Sequence, residues 1–259
     1  MGNDSIFYRE YGTGRPVVFL HGIMGCSDFW MPIARKLAKQ FRVILPDLPN
    51  HGASVFTNSI AFADTAVLLE DFFKNIGLVS PCVVAHSYGA KVTFQMLADG
   101  YVFERIVAVD MLPNTTFAES AITRSIKFVS RPLPTMKTFG EAREFFRKNG
   151  FNDDFVDFLT KGLTIKKGVL QWKFNTQVIG ANALELTKTV SIPCKSEMPV
   201  LVLKGQYSDY VRKADFKSIS PLFSNISLAE IPDAGHWVQY DQPEAFLDVV
   251  YKFLTNNKL

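Results

Sequence analysis

The stretch Cys82-Val83-Val84-Ala85-His86-Ser87-Tyr88-Gly89-Ala90-Lys91 sets a serine between an apolar run and a segment that continues as a helix. A small-x-Ser-x-Gly turn of this kind forces the serine into a strained backbone conformation and lifts its hydroxyl above the carboxyl end of a sheet. Ser87 is therefore the candidate nucleophile. Ala85 and Gly89 are the small residues that let strand and helix approach. A serine here also puts the backbone N–H of Tyr88 at a helix N-terminus, beside any carbonyl under attack, as one half of an oxyanion hole. The other half is expected from Phe19-Leu20-His21-Gly22-Ile23-Met24-Gly25, where an apolar run ends at His-Gly; Ile23 is the preferred donor and Met24 the alternative. His21 itself reads as structural.

A serine needs a base, and four histidines compete. His236, in Ile231-Pro232-Asp233-Ala234-Gly235-His236-Trp237, sits on a Gly-His turn ahead of the last helix and follows the nucleophile in chain order. An imidazole there takes the serine proton and returns it to the leaving group. Two carboxylates compete to orient it. Asp110 closes the apolar run Ile106-Val107-Ala108-Val109, and a buried acid at that rim needs a partner such as an imidazole N–H. Asp209 lies in the loop after Val200-Leu201-Val202-Leu203. Asp110 is preferred and Asp209 is the alternative. Met24, His51 and Trp237 are candidates for lining the substrate pocket, and Lys91, on a helix surface, receives no role. No step of this chemistry calls for a metal or an organic cofactor.

These groups require a scaffold. Apolar runs at Val17–Leu20, Val43–Leu45, Val83–Ala85, Ile106–Val109 and Val200–Leu203 read as strands buried on both faces, alternating with helical stretches over Trp30–Gln40, Ala61–Asn75 and Tyr88–Asp99. That alternation predicts a mostly parallel sheet with helices on both faces. Pro243, with Phe246, Val249, Val250 and Phe253 at helical spacing, predicts a last covering helix. From about Asn114 to Val190 the strand runs give way to Phe-rich helical segments, so we expect a core over 1–113 and 191–259 and an inserted helical cap over 114–190. Within the cap, Thr138 with Glu141 suggests a capping box and a helix stopping near Asn149-Gly150, Asp153–Lys161 a second helix, and Val169–Phe174 a strand turning near Lys167-Gly168. Phe117, Phe128, Phe145, Phe146 and Trp172 are set either to wall an apolar acyl pocket or simply to pack the cap on the sheet.

Taken together, His21-Gly22-Ile23-Met24-Gly25, Asp47 with Asn50-His51-Gly52-Ala53-Ser54, His86 to Lys91, Val109-Asp110-Met111-Leu112-Pro113, Gly205-Gln206-Tyr207-Ser208 and Ala234-Gly235-His236-Trp237 resemble the α/β-hydrolase superfamily over nearly the whole chain, and within it the YbfF-type bacterial esterases. The resemblance implies the α/β-hydrolase fold and hydrolysis of carboxylic esters, with acyl-CoA thioesters in some members. In that group a serine matching Ser208 accompanies an acid matching Asp110. This chain departs at Ala85 and Ala90, where glycine is common, and carries Asp209 in the acid loop.

Composition narrows the alternatives. With 259 residues, 47% hydrophobic and 20% charged, the chain buries a sizeable core; its net charge of +3 is scattered, which gives no footprint for nucleic acid. No apolar run approaches the roughly 20 residues of a membrane span, and residues 1–6 lack the pattern of a secretory signal. Cys26, Cys82 and Cys194 are odd in number and widely spaced, which suits free thiols in a reducing compartment; a cytoplasmic location is expected, and the sequons at Asn3, Asn114 and Asn225 are then chance matches. The ending Asn257-Lys258-Leu259 lacks the small first residue of a peroxisomal address. The expected partner is a small ester or thioester. A lyase or C–C bond hydrolase using the same Ser and His, and a ligand receptor with slow turnover, remain the competing readings; the sequence carries no signal of oligomeric state.

Overall fold

The buried-strand runs form the centre of the molecule because residues on both faces of each are apolar: Val17 to Leu20, Val83 to Ala85, Ile106 to Val109 and Val200 to Leu203 are essentially without exposed surface. In the computed structural model, which describes residues 5–116 and 121–255 (side chains of 121 and 122 excepted), the strands are β1 (Tyr8–Tyr11), β2 (Arg15–Leu20), β3 (Phe41–Pro46), β4 (Cys82–His86), β5 (Arg105–Val109), the pair β6 (Leu163–Lys166) and β7 (Val169–Trp172), then β8 (Val200–Gly205) and β9 (Ile226–Ile231). The main sheet has the order β1-β3-β2-β4-β5-β8-β9, with β1 antiparallel to β3 and every other neighbour parallel.

Strand order reverses at β2 and β4. The chain leaves β2 for β3 on one side and then crosses back to place β4 on the other, so the loops after β2 and β4 diverge and open a crevice at the carboxyl ends of the strands. Those two loops carry Gly22-Ile23 and Ser87.

Alternate strand residues feed two cores. Val18, Leu20, Val83, Ala85, Ile106 and Ala108 pack against the face covered by α2 (Phe62–Asn75) and α3 (Tyr88–Ala98); Val17, Phe19, Val84, Val107 and Leu203 pack with Trp30, with Ile33 from α1 (Met31–Leu37) and with Phe246 from the last helix. The helix expected over Trp30–Gln40 divides into a 3₁₀ turn over Ser27–Trp30 and α1, with Pro32 in the first turn, where a missing N–H costs nothing.

Between β5 and β8 lie α4 (Ala121–Val129), α5 (Phe139–Lys148), α6 (Asp153–Lys161), the β6–β7 hairpin and α7 (Thr176–Ala181). Thr138 Oγ1 accepts the Glu141 N–H at 3.2 Å, while the Glu141 carboxylate reaches back one residue further than a standard capping box, to the Lys137 N–H at 2.8 Å. Lys167 and Gly168, both at positive φ, make the hairpin turn. The remaining helices are α8 (Lys213–Ile219), α9 (Val238–Asp241) and α10 (Pro243–Leu254), the last burying Phe246, Val250, Phe253 and Leu254. Cys26, Cys82 and Cys194 are free thiols. No helix among the described residues is long and apolar enough to cross a membrane. Phe117, Asn3 and the segment 257–259 lie outside the described residues.

Candidate active site

At the end of β4, Ser87 adopts φ 52° and ψ −113°, a conformation outside the ordinary range of an L-residue. The neighbours hold it there: its N–H donates to Val109 O at 3.1 Å, and its carbonyl accepts from Ala90 and Lys91 to open α3. A Cβ on Gly89 would come within 2.7 Å of His21 O and 2.8 Å of Leu20 Cβ, so the close approach of helix to strand requires glycine two residues after the serine. Ala85 is fully buried in the sheet, where a single methyl fits.

Two backbone donors face the same region. The N–H of Tyr88, first in α3, and the N–H of Ile23 take no acceptor among the described residues. Tyr88 contributes only its amide, because its phenol is buried and occupied, accepting from Thr65 Oγ1 and donating to Ile60 O. Burial pushes that phenol's pKa up.

The Met24 N–H is engaged: at φ 61°, Met24 donates to His51 Nε2 at 2.9 Å. His51 is wholly buried, and its Nδ1–H donates to Pro49 O at 2.8 Å. Neither residue is among those lining the described cavities beside Ser87. They brace the loop after β2 from beneath. His21 does the same, accepting the Leu48 N–H at Nε2 while Nδ1 donates to Gly22 O. This arrangement is written in backbone turns and burial rather than in residue type, which hid it from a reading of the sequence.

Burial holds His21 neutral, with a pKa pushed down to about 4, and His51 likewise, down to about 3 with His21 beside it. Both titrate near 6.5 in an unfolded chain, so between about 4 and 6.5 the unfolded state binds more protons. Their contribution to stability is present above 6.5 and lost as pH falls. The free energy of urea unfolding should drop by roughly 3–4 kcal/mol from pH 7 to pH 5 through this pair alone; a flat profile would contradict the neutral pairing.

On the opposite rim, Asp110 directly follows β5 at φ 50°, with no exposed surface. Its Oδ2 accepts from His236 Nδ1 at 2.6 Å and from the Ser208 hydroxyl. An imidazole protonated at Nδ1 leaves Nε2 with a lone pair, and His236 and Ser87 line one cavity together with Gly22, Ile23 and Trp237. Asp209 is exposed and holds no hydrogen bond among the described residues. His86 packs at Gly22, its Nε2 donating to the His236 carbonyl at 2.9 Å; it braces the turn carrying His236.

Two groups escaped the sequence reading. The Tyr210 ring stacks on the His236 imidazole with centroids 3.9 Å apart and planes at 18°. The only signal for it was an aromatic residue two positions beyond Ser208. Lys91, expected on a solvated helix face, is instead 1% exposed, because the segment returning from α7 covers it; its ammonium donates to the carbonyls of Pro113, Thr115 and Lys188 at 2.8, 2.8 and 2.9 Å. Burial pushes its pKa down to about 7.

Two voids of about 20 Å³ each flank Ser87. The one containing His236 is walled by Phe29, Phe158 and Trp237; the other by Met111, Leu186 and Tyr210. Phe128, Phe145, Phe146 and Trp172 line neither, and pack on one another and on Phe151, with Phe128 and Phe151 rings at 4.9 Å and Phe146 stacked on Trp172. Their apolar surface belongs to the same continuous cluster as Val18, Leu20, Val83 and Ala85 of the sheet.

A model of the alpha/beta hydrolase family matches residues 17–249. Over 250 residues the chain is 30% identical to the sn-1-specific diacylglycerol lipase ABHD11 of Mus musculus, covering 92% of this chain and 80% of that protein. It is 25% identical over 245 residues to the esterase YbfF of Escherichia coli K12, covering 93% of each. A solved structure described as a marine microorganism esterase superposes with a TM-score of 0.91 at 29% identity, covering 97% of this chain and all of that one.

Proposed function

We propose that this chain, which belongs to the alpha/beta hydrolase family, is a serine esterase that cleaves carboxylic esters, and thioesters of similar shape, through an acyl-enzyme on Ser87. The observation that carries the reading is the buried Asp110 carboxylate bonded to His236 Nδ1 at 2.6 Å, on the rim where His236 shares a cavity with a strained Ser87. The relatives named as esterases and a lipase support the same class of chemistry.

In this mechanism His236 Nε2 takes the Ser87 proton as Oγ bonds to the acyl carbon. The oxyanion accepts the free N–H groups of Ile23 and Tyr88, which point at the developing charge without reorganising. The imidazolium then gives its proton to the departing alcohol or thiol as that bond breaks, so the leaving group lies on the side of His236 and Trp237 and the acyl chain on the side of Met111 and Leu186. A water, deprotonated by His236, attacks the acyl-enzyme and restores the serine. We take 114–190 as the cap that closes over these steps.

The test is covalent labelling with a fluorophosphonate followed by peptide mapping, together with steady-state rates on para-nitrophenyl esters and acyl-CoA thioesters of graded chain length. Stoichiometric modification of Ser87, with burst kinetics on the esters, is the expected result. Folded protein that does not label at Ser87 would sink the reading, and labelling without turnover would move it to a receptor.

A further inference from the structure

Lys91 has no part in the chemistry above, yet it is one of the largest fully buried side chains in the molecule. A buried ammonium persists only where its donors are satisfied, and here three N–H groups meet three carbonyls. Two of these, Pro113 O and Thr115 O, lie on the turn by which the chain leaves the sheet after Asp110; the third, Lys188 O, lies where it returns. One side chain on the nucleophile helix thus pins both.

The turn at Thr115 leads back to the base. The Thr115 hydroxyl accepts the Leu112 N–H at 3.1 Å and donates to the backbone carbonyl of Tyr210 at 3.0 Å. Tyr210 in turn stacks on His236 at 3.9 Å, and its N–H donates to the oxygen of Ser208, whose hydroxyl is bound to Asp110. The contacts run without a gap from Lys91 to the imidazole.

We propose that Lys91 is a positioning residue for His236: by fixing the 113–115 turn it holds Thr115, and through it Tyr210, so that the imidazole keeps its orientation between Asp110 and Ser87. The inference rests on the reading of Ser87 and His236 as nucleophile and base.

The test is a pair of double-mutant cycles on the full chain, using para-nitrophenyl acetate, with kcat and KM read separately. Lys91→Met keeps the apolar stem and removes the donors; Thr115→Val removes the hydroxyl and keeps the carbonyl that Lys91 binds; each is combined with Tyr210→Ala. Each single variant should lower kcat by about tenfold, and Thr115→Val, whose side chain lines neither cavity beside Ser87, should leave KM nearly unchanged, since misorienting the base slows proton transfer without altering ground-state binding. Because all three act on one path, each double variant should fall within about threefold of Tyr210→Ala alone. Losses that multiply, or a Thr115→Val loss that appears in KM, would show Lys91 and Thr115 to be merely structural and overturn the proposal. If Lys91→Met does not fold, Thr115→Val decides: it cuts the same path nearer to Tyr210 and leaves the ammonium satisfied, so coupling sustains the proposal and additivity overturns it. Absence of fluorophosphonate labelling in the parent protein would instead remove the reading of Ser87 itself.

Discussion

Ser87→Ala is expected to lower kcat on an activated ester by about 10⁶-fold and to abolish fluorophosphonate labelling, while the protein stays folded. The size follows from what the hydroxyl does: without it the acyl-enzyme route is closed, and His236, Ile23 and Tyr88 are left to assist direct attack by water, which retains about 10³-fold over the uncatalysed rate. The backbone makes the same residue a second experiment. At φ 52° and ψ −113° a Cβ is strained whether it carries a hydroxyl or a hydrogen, so alanine should change stability little. Glycine relieves the strain, and Ser87→Gly should be as inactive as Ser87→Ala yet more stable by about 1 kcal/mol in urea unfolding. A Ser87→Ala protein that retains more than about one hundredth of parental kcat would place the nucleophile elsewhere.

How much of this was legible in the sequence depended on whether a feature is local. The elbow is local: an apolar run, a small residue, Ser87, Gly89 and a helix are contiguous, and backbone sterics alone dictate the turn. The sheet was legible for the same reason, since five uninterrupted apolar runs leave no polar face to put in water. The carboxylate was harder, because Asp110 directly follows β5, Asp209 lies a few residues past β8, and only the path of the loop after β8 distinguishes them. That loop turns the Ser208 hydroxyl onto Asp110 and leaves Asp209 in solvent. Lys91 was misread because helical periodicity says which side of a helix a residue occupies but not what covers it. The bond between Met24 and His51 was illegible because a contact between two loops, 27 residues apart, leaves no trace in either. The Phe-rich character of 114–190 signalled a core, which is continuous with the apolar face of the sheet, and Phe158 reaches the site.

The choice between the two acids carries the second large effect. Asp110→Asn is expected to lower kcat by about 10⁴-fold with little change in KM, whereas Asp209→Asn should stay within about twofold of the parent. In the parent protein one carboxylate oxygen accepts from both His236 Nδ1 and Ser208, which fixes the imidazole tautomer with its proton on Nδ1 and its lone pair on Nε2. Asparagine is nearly isosteric, but it presents an N–H₂ group as well as an oxygen. With the Ser208 hydroxyl claiming the oxygen, the amide donates toward His236 and stabilises the opposite tautomer, in which Nε2 carries the proton and cannot accept another from Ser87. It also removes the negative charge that stabilises the imidazolium formed during each proton transfer. Ser208→Ala separates these two effects: it frees the Asp110 oxygen without removing the charge, so it should cost about tenfold at most. If Asp209→Asn took most of kcat and Asp110→Asn little, the loop after β8 would have to rearrange on substrate binding to bring Asp209 inward, and the buried Asp110–His236 bond would then belong to a resting state rather than to the reacting one.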